Sequence, residues 1–119
     1  MNFTFKIWLD MDGKVFGQGP LRLLKSIEKT GSLNQGAVEM GISYRKAWNI
    51  LHAIEEKLGF ALIERHTGGA AGGGSKITDE GKKLMEQYEA FCKDAGKELE
   101  KLFQKHFPKR KRPEARKRR

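Results

Sequence analysis

The sequence predicts a mainly α-helical chain with a small β component, and three observations carry that expectation. Four segments set a capping or helix-opening residue (Gly19-Pro20, Ser32, Ser43, Thr78) directly ahead of apolar residues spaced three and four apart, the signature of helices packed on one face. The first ten residues instead alternate apolar and polar, which is the period of a half-buried strand. A glycine tract from Gly68 to Gly74 separates two short stretches that read as the arms of a β-hairpin. At 119 residues the chain suits one domain with a modest core.

Taken in order, Phe3, Phe5, Ile7 and Leu9 form the apolar side of the first strand, against Thr4, Lys6, Trp8 and Asp10. Asp12-Gly13 supplies a turn, and Val15-Phe16 returns as a short second arm. Gly19-Pro20 opens the first helix, since proline at the first helical position loses no hydrogen bond. That helix buries Leu23, Leu24 and Ile27 and stops at Gly31. Ser32 to Gln35 is a capping box for a short second helix ending near Met40. Gly41 follows as a tight turn, Ile42 plugs the corner, and Ser43 caps a third helix that runs to Leu58 and closes at Gly59. Ala37 and Gly41, small and four apart, suit two helices crossing at close range. Helix, three-residue turn, helix is the helix-turn-helix motif.

Phe60 to Thr67 reads as a strand, and Lys76-Ile77 as its partner beyond the glycine tract, which makes a two-stranded wing with a loose tip. A long helix begins at Thr78, with Asp79 and Glu80 in its first turn as the helix dipole prefers. Leu84, Tyr88, Phe91, Ala95, Leu99, Leu102 and His106 form an apolar seam, widened by Met85, Cys92 and Phe103. From Asp79 to His106 this helix spans ~42 Å. No second core follows it in the sequence, so Leu84, Tyr88, Phe91, Ala95, Leu99 and Leu102 are expected to form a dimer interface. The expected organisation is a winged helix-turn-helix over residues 1–107, including a dimerisation helix over 78–107, and a disordered basic tail over 108–119.

On a helical wheel, Ala47, Ile50, Leu51, Ile54 and Leu58 fall in one narrow sector of the third helix. Arg45, Asn49 and His52 lie opposite, with Tyr44, Lys46 and Trp48 on the flanks. Arginine and asparagine suit base edges in the major groove, arginine as a bidentate partner of guanine and asparagine of adenine. Helix starts favour acids, yet this one carries Arg45 and Lys46 in its first turn, each opposing the macrodipole by roughly 0.3–1 kcal/mol. Such a breach fits a place where anions dock on free backbone N–H groups and on side chains together. Ser43, Tyr44, Arg45, Lys46, Asn49 and His52, with Arg65, His66 and Lys76 from the wing, are therefore the expected DNA-binding residues. Trp48 is left between two readings, packing against the wing or second helix and touching DNA.

The net charge of +9 is placed unevenly: Lys109 to Arg119 hold eight Lys/Arg and one acid, which is +7, leaving +2 for the preceding 108 residues. The tail suits sequence-independent DNA affinity through counterion release; a solubilising end, or RNA as its partner, stays open. One cysteine, Cys92, excludes an internal disulfide and fits a reducing compartment. No signal peptide and no apolar run long enough to cross a membrane are read, so a soluble cytoplasmic protein is expected. The glycine tract lacks the Gly-Lys-Ser/Thr spacing of a phosphate loop. His52, His66, His106 and Cys92 lack metal-ligand spacing, and no catalytic acid pair or nucleophile–base arrangement stands out. No cofactor, metal or enzymatic activity is expected.

The run Leu23-Leu24-Lys25, then Thr30-Gly31-Ser32-Leu33-Asn34-Gln35-Gly36-Ala37 and Gly41-Ile42-Ser43-Tyr44-Arg45-Lys46-Ala47-Trp48, resembles the N-terminal domain of the ModE family of molybdate-responsive transcription regulators. The likeness resumes at Leu62-Ile63-Glu64-Arg65, Thr67-Gly68-Gly69, Gly72-Gly73-Gly74 and Thr78 with Gly81, covering about residues 5–92. The spacing from Ser43 to Gly59, with Glu64-Arg65 ahead of Thr78, also looks like the broader LysR helix-turn-helix. Either resemblance implies binding to double-stranded DNA. The first implies a homodimer, paired through the first strand and the terminal helix, that reads a palindromic operator. ModE proteins carry C-terminal molybdate-binding domains, whereas this sequence ends after the long helix and tail, so molybdate sensing is not carried over. Two other readings stand beside it: a protein-interaction module whose long helix pairs with a separate effector-sensing protein, and an RNA-binding module driven by the tail.

Overall fold

The computed structural model describes residues 1–66 and 74–109. A short hairpin, β1 (Leu9–Asp10) and β2 (Lys14–Phe16), precedes three helices, α1 (Gln18–Thr30), α2 (Leu33–Met40) and α3 (Tyr44–Leu58). A second antiparallel pair, β3 (Ile63–His66) and β4 (Gly74–Ile77), leads into the long α4 (Asp79–His106). The tip expected over Gly68 to Gly73 and nearly all of the basic tail lie outside the described residues.

The caps fall where the sequence puts them. The Ser32 hydroxyl accepts the Gln35 N–H and the Ser43 hydroxyl accepts the Lys46 N–H, each at 3.0 Å, satisfying donors that a helix start leaves open. α1 begins two residues earlier than expected, behind Gly17. Pro20 is thus its third residue, still among those whose N–H has no partner inside the helix. β3 starts at Ile63 rather than Phe60, because the chain first turns at Leu62, which is fully buried.

Phe16, Leu23, Leu24, Ile27, Ala47, Leu51, Leu62 and Tyr88 form one contiguous core with residues of every helix. Of the two small residues expected to let helices cross closely, Ala37 is buried in the core. Gly41 needs its glycine for the turn itself, at φ 71°, with open space around the position of a Cβ. The close approach is at Gly36, where a Cβ would sit 2.9 Å from Ile27 Cγ1 on α1.

The N-terminal strand is shorter than its alternation suggests, since only Leu9 and Asp10 pair, with Phe16 and Lys14. Residues 1–8 lie in no strand, because their neighbour within the chain is a helix and not another strand edge. The alternation is still used. Phe3 and Ile7 are half-buried, Phe3 meets Phe103 at 5.0 Å between centroids, and the Ile7 carbonyl accepts the Tyr88 hydroxyl at 2.7 Å. The opening segment therefore lies along α4.

α4 crosses the root of the wing at Gly81. The buried Thr78 caps the helix through the Gly81 N–H, its hydroxyl donates to the Ala61 carbonyl at 2.6 Å, and its own N–H bonds the Leu62 carbonyl at 2.9 Å. A Cβ at Gly81 would stand 2.7 Å from that same Leu62 oxygen. Helix propensity alone makes Gly→Ala stabilising by about 1 kcal/mol. Here the backbone contact reverses the sign, and Gly81→Ala is expected to cost about 1–3 kcal/mol, as overpacking does. Urea unfolding at fixed protein concentration checks this, and a raised midpoint would contradict the close crossing.

Candidate nucleic-acid interface

α3 presents two unlike sides. Ala47, Leu51 and Ile54 are buried, with Ile50 and Leu58 packed at the core's margin, while Tyr44, Arg45, Lys46, Asn49 and His52 are exposed. The first turn holds no acid. Positive dipole end, unpaired N–H groups and two cations thus share one helix start, an arrangement that attracts anions by direct contact and by field.

The wing is fixed to α3 at its root. The Glu55 carboxylate, near the far end of α3, accepts the Leu62 N–H at 2.7 Å and the Ile63 N–H at 3.4 Å. On the other strand, the Ser75 N–H donates to the Gly31 carbonyl at 2.8 Å, where α1 ends. Glu55→Ala strands a buried N–H, so a loss of about 1–3 kcal/mol is expected. Amide exchange should quicken first at Leu62 and Ile63, and protection unchanged there would show that Glu55 does not hold the wing.

The cross-strand register separates the three wing residues assigned to DNA. Ile63 faces Ile77 and Arg65 faces Ser75, whereas Glu64 faces Lys76 and His66 faces Gly74. Since directly opposed residues share a side of the ladder, Arg65 falls on the side of the buried Ser75 and Ile77. Its guanidinium bonds the Tyr44 hydroxyl and lies 5.8 Å from that ring's centroid. Lys76 and His66 are exposed on the other side, Lys76 opposite an acid. Arg65 therefore joins the α3 cluster, His66 lines a cleft with Tyr44 and Arg65, and Lys76 does not join them.

Trp48 packs toward the second helix and the wing and keeps part of its ring exposed. It remains 40% exposed, yet it lines a small cavity of about 190 Å³ with Leu33, Leu51 and Ile63 behind it. Its indole stacks on the His52 ring at 4.5 Å and 16°, and His52 in turn sits 3.7 Å from Glu56. Tyr44, Trp48, His52 and Glu56 make a continuous stripe at four-residue spacing, a pattern legible in the sequence that a wheel sorted only by polarity divides.

Of the six residues expected at a dimer interface, Tyr88 is 1% exposed and belongs to the chain's own core, so it has no surface to offer another chain. Leu84 packs against that core too. Ala95 and Leu99 are half-buried, and Phe91 and Leu102 are exposed at 53% and 49%. The free apolar surface thus lies on the distal part of α4, joined by Phe5 and Phe107.

Two capped helices joined by a glycine turn, with a β-hairpin rooted on the second of them, define a winged helix-turn-helix protein. Residues 20–82 match the model of the bacterial regulatory helix-turn-helix proteins of the lysR family. The chain belongs to that family. Among its relatives, the DNA-binding transcriptional dual regulator ModE of Escherichia coli K12 is 37% identical over 91 residues, 75% of this chain and 34% of that protein. The molybdenum transport protein ModE of Azotobacter vinelandii is 31% identical over 104 residues, 87% of this chain and 38% of that protein. The chain thus spans little more than a third of the length of these relatives. The fold is shared with the crystal structure of the CbnR_DBD–DNA complex, at a TM-score of 0.52 and 19% identity, over 70% of this chain and 90% of that one.

Proposed function

We propose that this chain is a sequence-specific DNA-binding transcription regulator, gripping a palindromic operator as a homodimer with one α3 in each of two successive major grooves. The observation that carries this reading is the acid-free, cationic first turn of α3, with Arg45, Lys46 and Asn49 exposed above a buried Ala47–Leu51–Ile54 side. Membership of a regulatory helix-turn-helix family supports it.

The homodimer rests on apolar surface that the chain leaves uncovered. Phe91, Leu102 and Phe107 on and after α4, and Phe5 of the opening segment, are each at least 41% exposed. Apolar area of this kind on a soluble domain marks an interaction site, and a two-fold pair would present two reading helices to a palindrome. No described helix is long and apolar enough to cross a membrane.

Selection of bound duplexes from a random-sequence library tests the reading, paired with sedimentation analysis of the free protein. Recovery of a two-fold symmetric consensus and a dimer mass supports it. Recovery of no consensus, with equal affinity for every duplex, overturns it.

A further inference from the structure

Tyr44 and Trp48 are the two large aromatic side chains on the exposed side of α3, at 41% and 40% exposure. They stand one helical turn apart, with Arg45 between them, around an open notch of about 250 Å³. Each wall is braced from outside the notch: Tyr44 by the wing's Arg65, Trp48 by stacking on His52, which faces Glu56. The braces hold apolar surface toward solvent on the same helix start where Arg45 and Lys46 attract phosphate.

A helix lying in the major groove meets base edges, because the base faces are stacked inside the duplex. Among those edges, donors and acceptors dominate, and the apolar feature is the thymine C5-methyl. Resting on the reading above that α3 enters the groove, we propose that the Tyr44–Trp48 notch reads a thymine methyl, making Trp48 a specificity-determining residue beside Arg45. The two aromatic walls of the notch match that group in polarity, and the neighbouring cations place it against DNA rather than against an apolar protein surface.

The test is a thymine-to-uracil scan, which deletes the methyl and nothing else. The full chain is first used to select a consensus from a random-sequence duplex library, and each consensus thymine is then replaced in turn. Burying one methyl group is worth about 4-fold in affinity, so a loss of about that size is expected at one thymine per half-site. Trp48→Ala should bind the thymine duplex more weakly and be indifferent to uracil at that position, while Trp48→Phe, which keeps an apolar wall, should retain part of the discrimination. A flat uracil scan with wild-type protein, a consensus without thymine in its half-sites, or an unchanged scan in Trp48→Ala each overturns the role of Trp48 while leaving sequence-specific binding intact. Absence of any consensus removes the underlying reading, and this assignment with it.

Discussion

Replacing Tyr88 with alanine is expected to lower the unfolding free energy by about 3–5 kcal/mol, as aromatic-to-alanine truncations in cores do. The ring is 1% exposed and meets Phe16 edge-on, 5.2 Å between centroids at 84°. Its removal leaves a cavity between α4 and the hairpin that neither backbone can close. The hydroxyl has a separate task. Burial first, and Cys92 beside it second, push the phenol up to about 12. It therefore stays protonated at ordinary pH and donates steadily to the Ile7 carbonyl. Tyr88→Phe keeps the ring and loses that bond, so about 0.5–1.5 kcal/mol is expected, with faster amide exchange confined to the opening segment. Urea unfolding of both variants checks the pair. Equal losses would mean that the hydroxyl and not the ring carries the site.

Arg45→Ala is expected to weaken binding to the selected duplex by about 1–3 kcal/mol and to relax preference at one base pair. Arg45 is exposed, on the first turn of α3 and beside the aromatic notch, so its removal leaves the core of Ala47, Leu51 and Ile54 untouched. A thermal midpoint near wild type accompanies the loss, which separates recognition from folding. Lys46→Ala is the useful contrast, since a side chain that meets phosphate weakens all duplexes alike and lowers the salt slope by about one contact. Competition between the consensus and a scrambled duplex distinguishes the two. If Arg45→Ala bound both duplexes as wild type does, the arginine would have no part in reading.

Helix positions were legible because their signals are local. Ser32, Gly41, Ser43 and Gly59 each fix a boundary through bonds within a few residues, and the structure places them there. The opening strand is shorter than its pattern implies because alternation reports a side that packs and does not report what it packs against. Phe3 and Ile7 bury themselves on a helix, and a ladder needs a partner edge that the chain supplies only at Leu9 and Asp10. The seam of α4 divides for the same reason: spacing puts Tyr88 and Phe91 on adjoining positions, but only the tertiary fold decides that the core takes Tyr88 and leaves Phe91 outside. The candidate site was legible in its cations and in Asn49. What escaped were side chains defined by contact, Glu55 holding the wing root and Trp48 leaning on His52, since neither role follows from polarity alone.

The bond from Tyr88 to Ile7 joins residues 81 positions apart. Contacts of such separation are slow to form, because the entropy of closing the intervening loop is lost before they contribute. By contrast, α1 to α3 assemble from neighbours in sequence. During synthesis, which proceeds from the N-terminus, residues 1–8 leave the ribosome well before α4 and lack their docking surface until it has followed. A segment made before α4 is thus among the last to settle, and refolding should show its burial as a late phase, after the helices have formed.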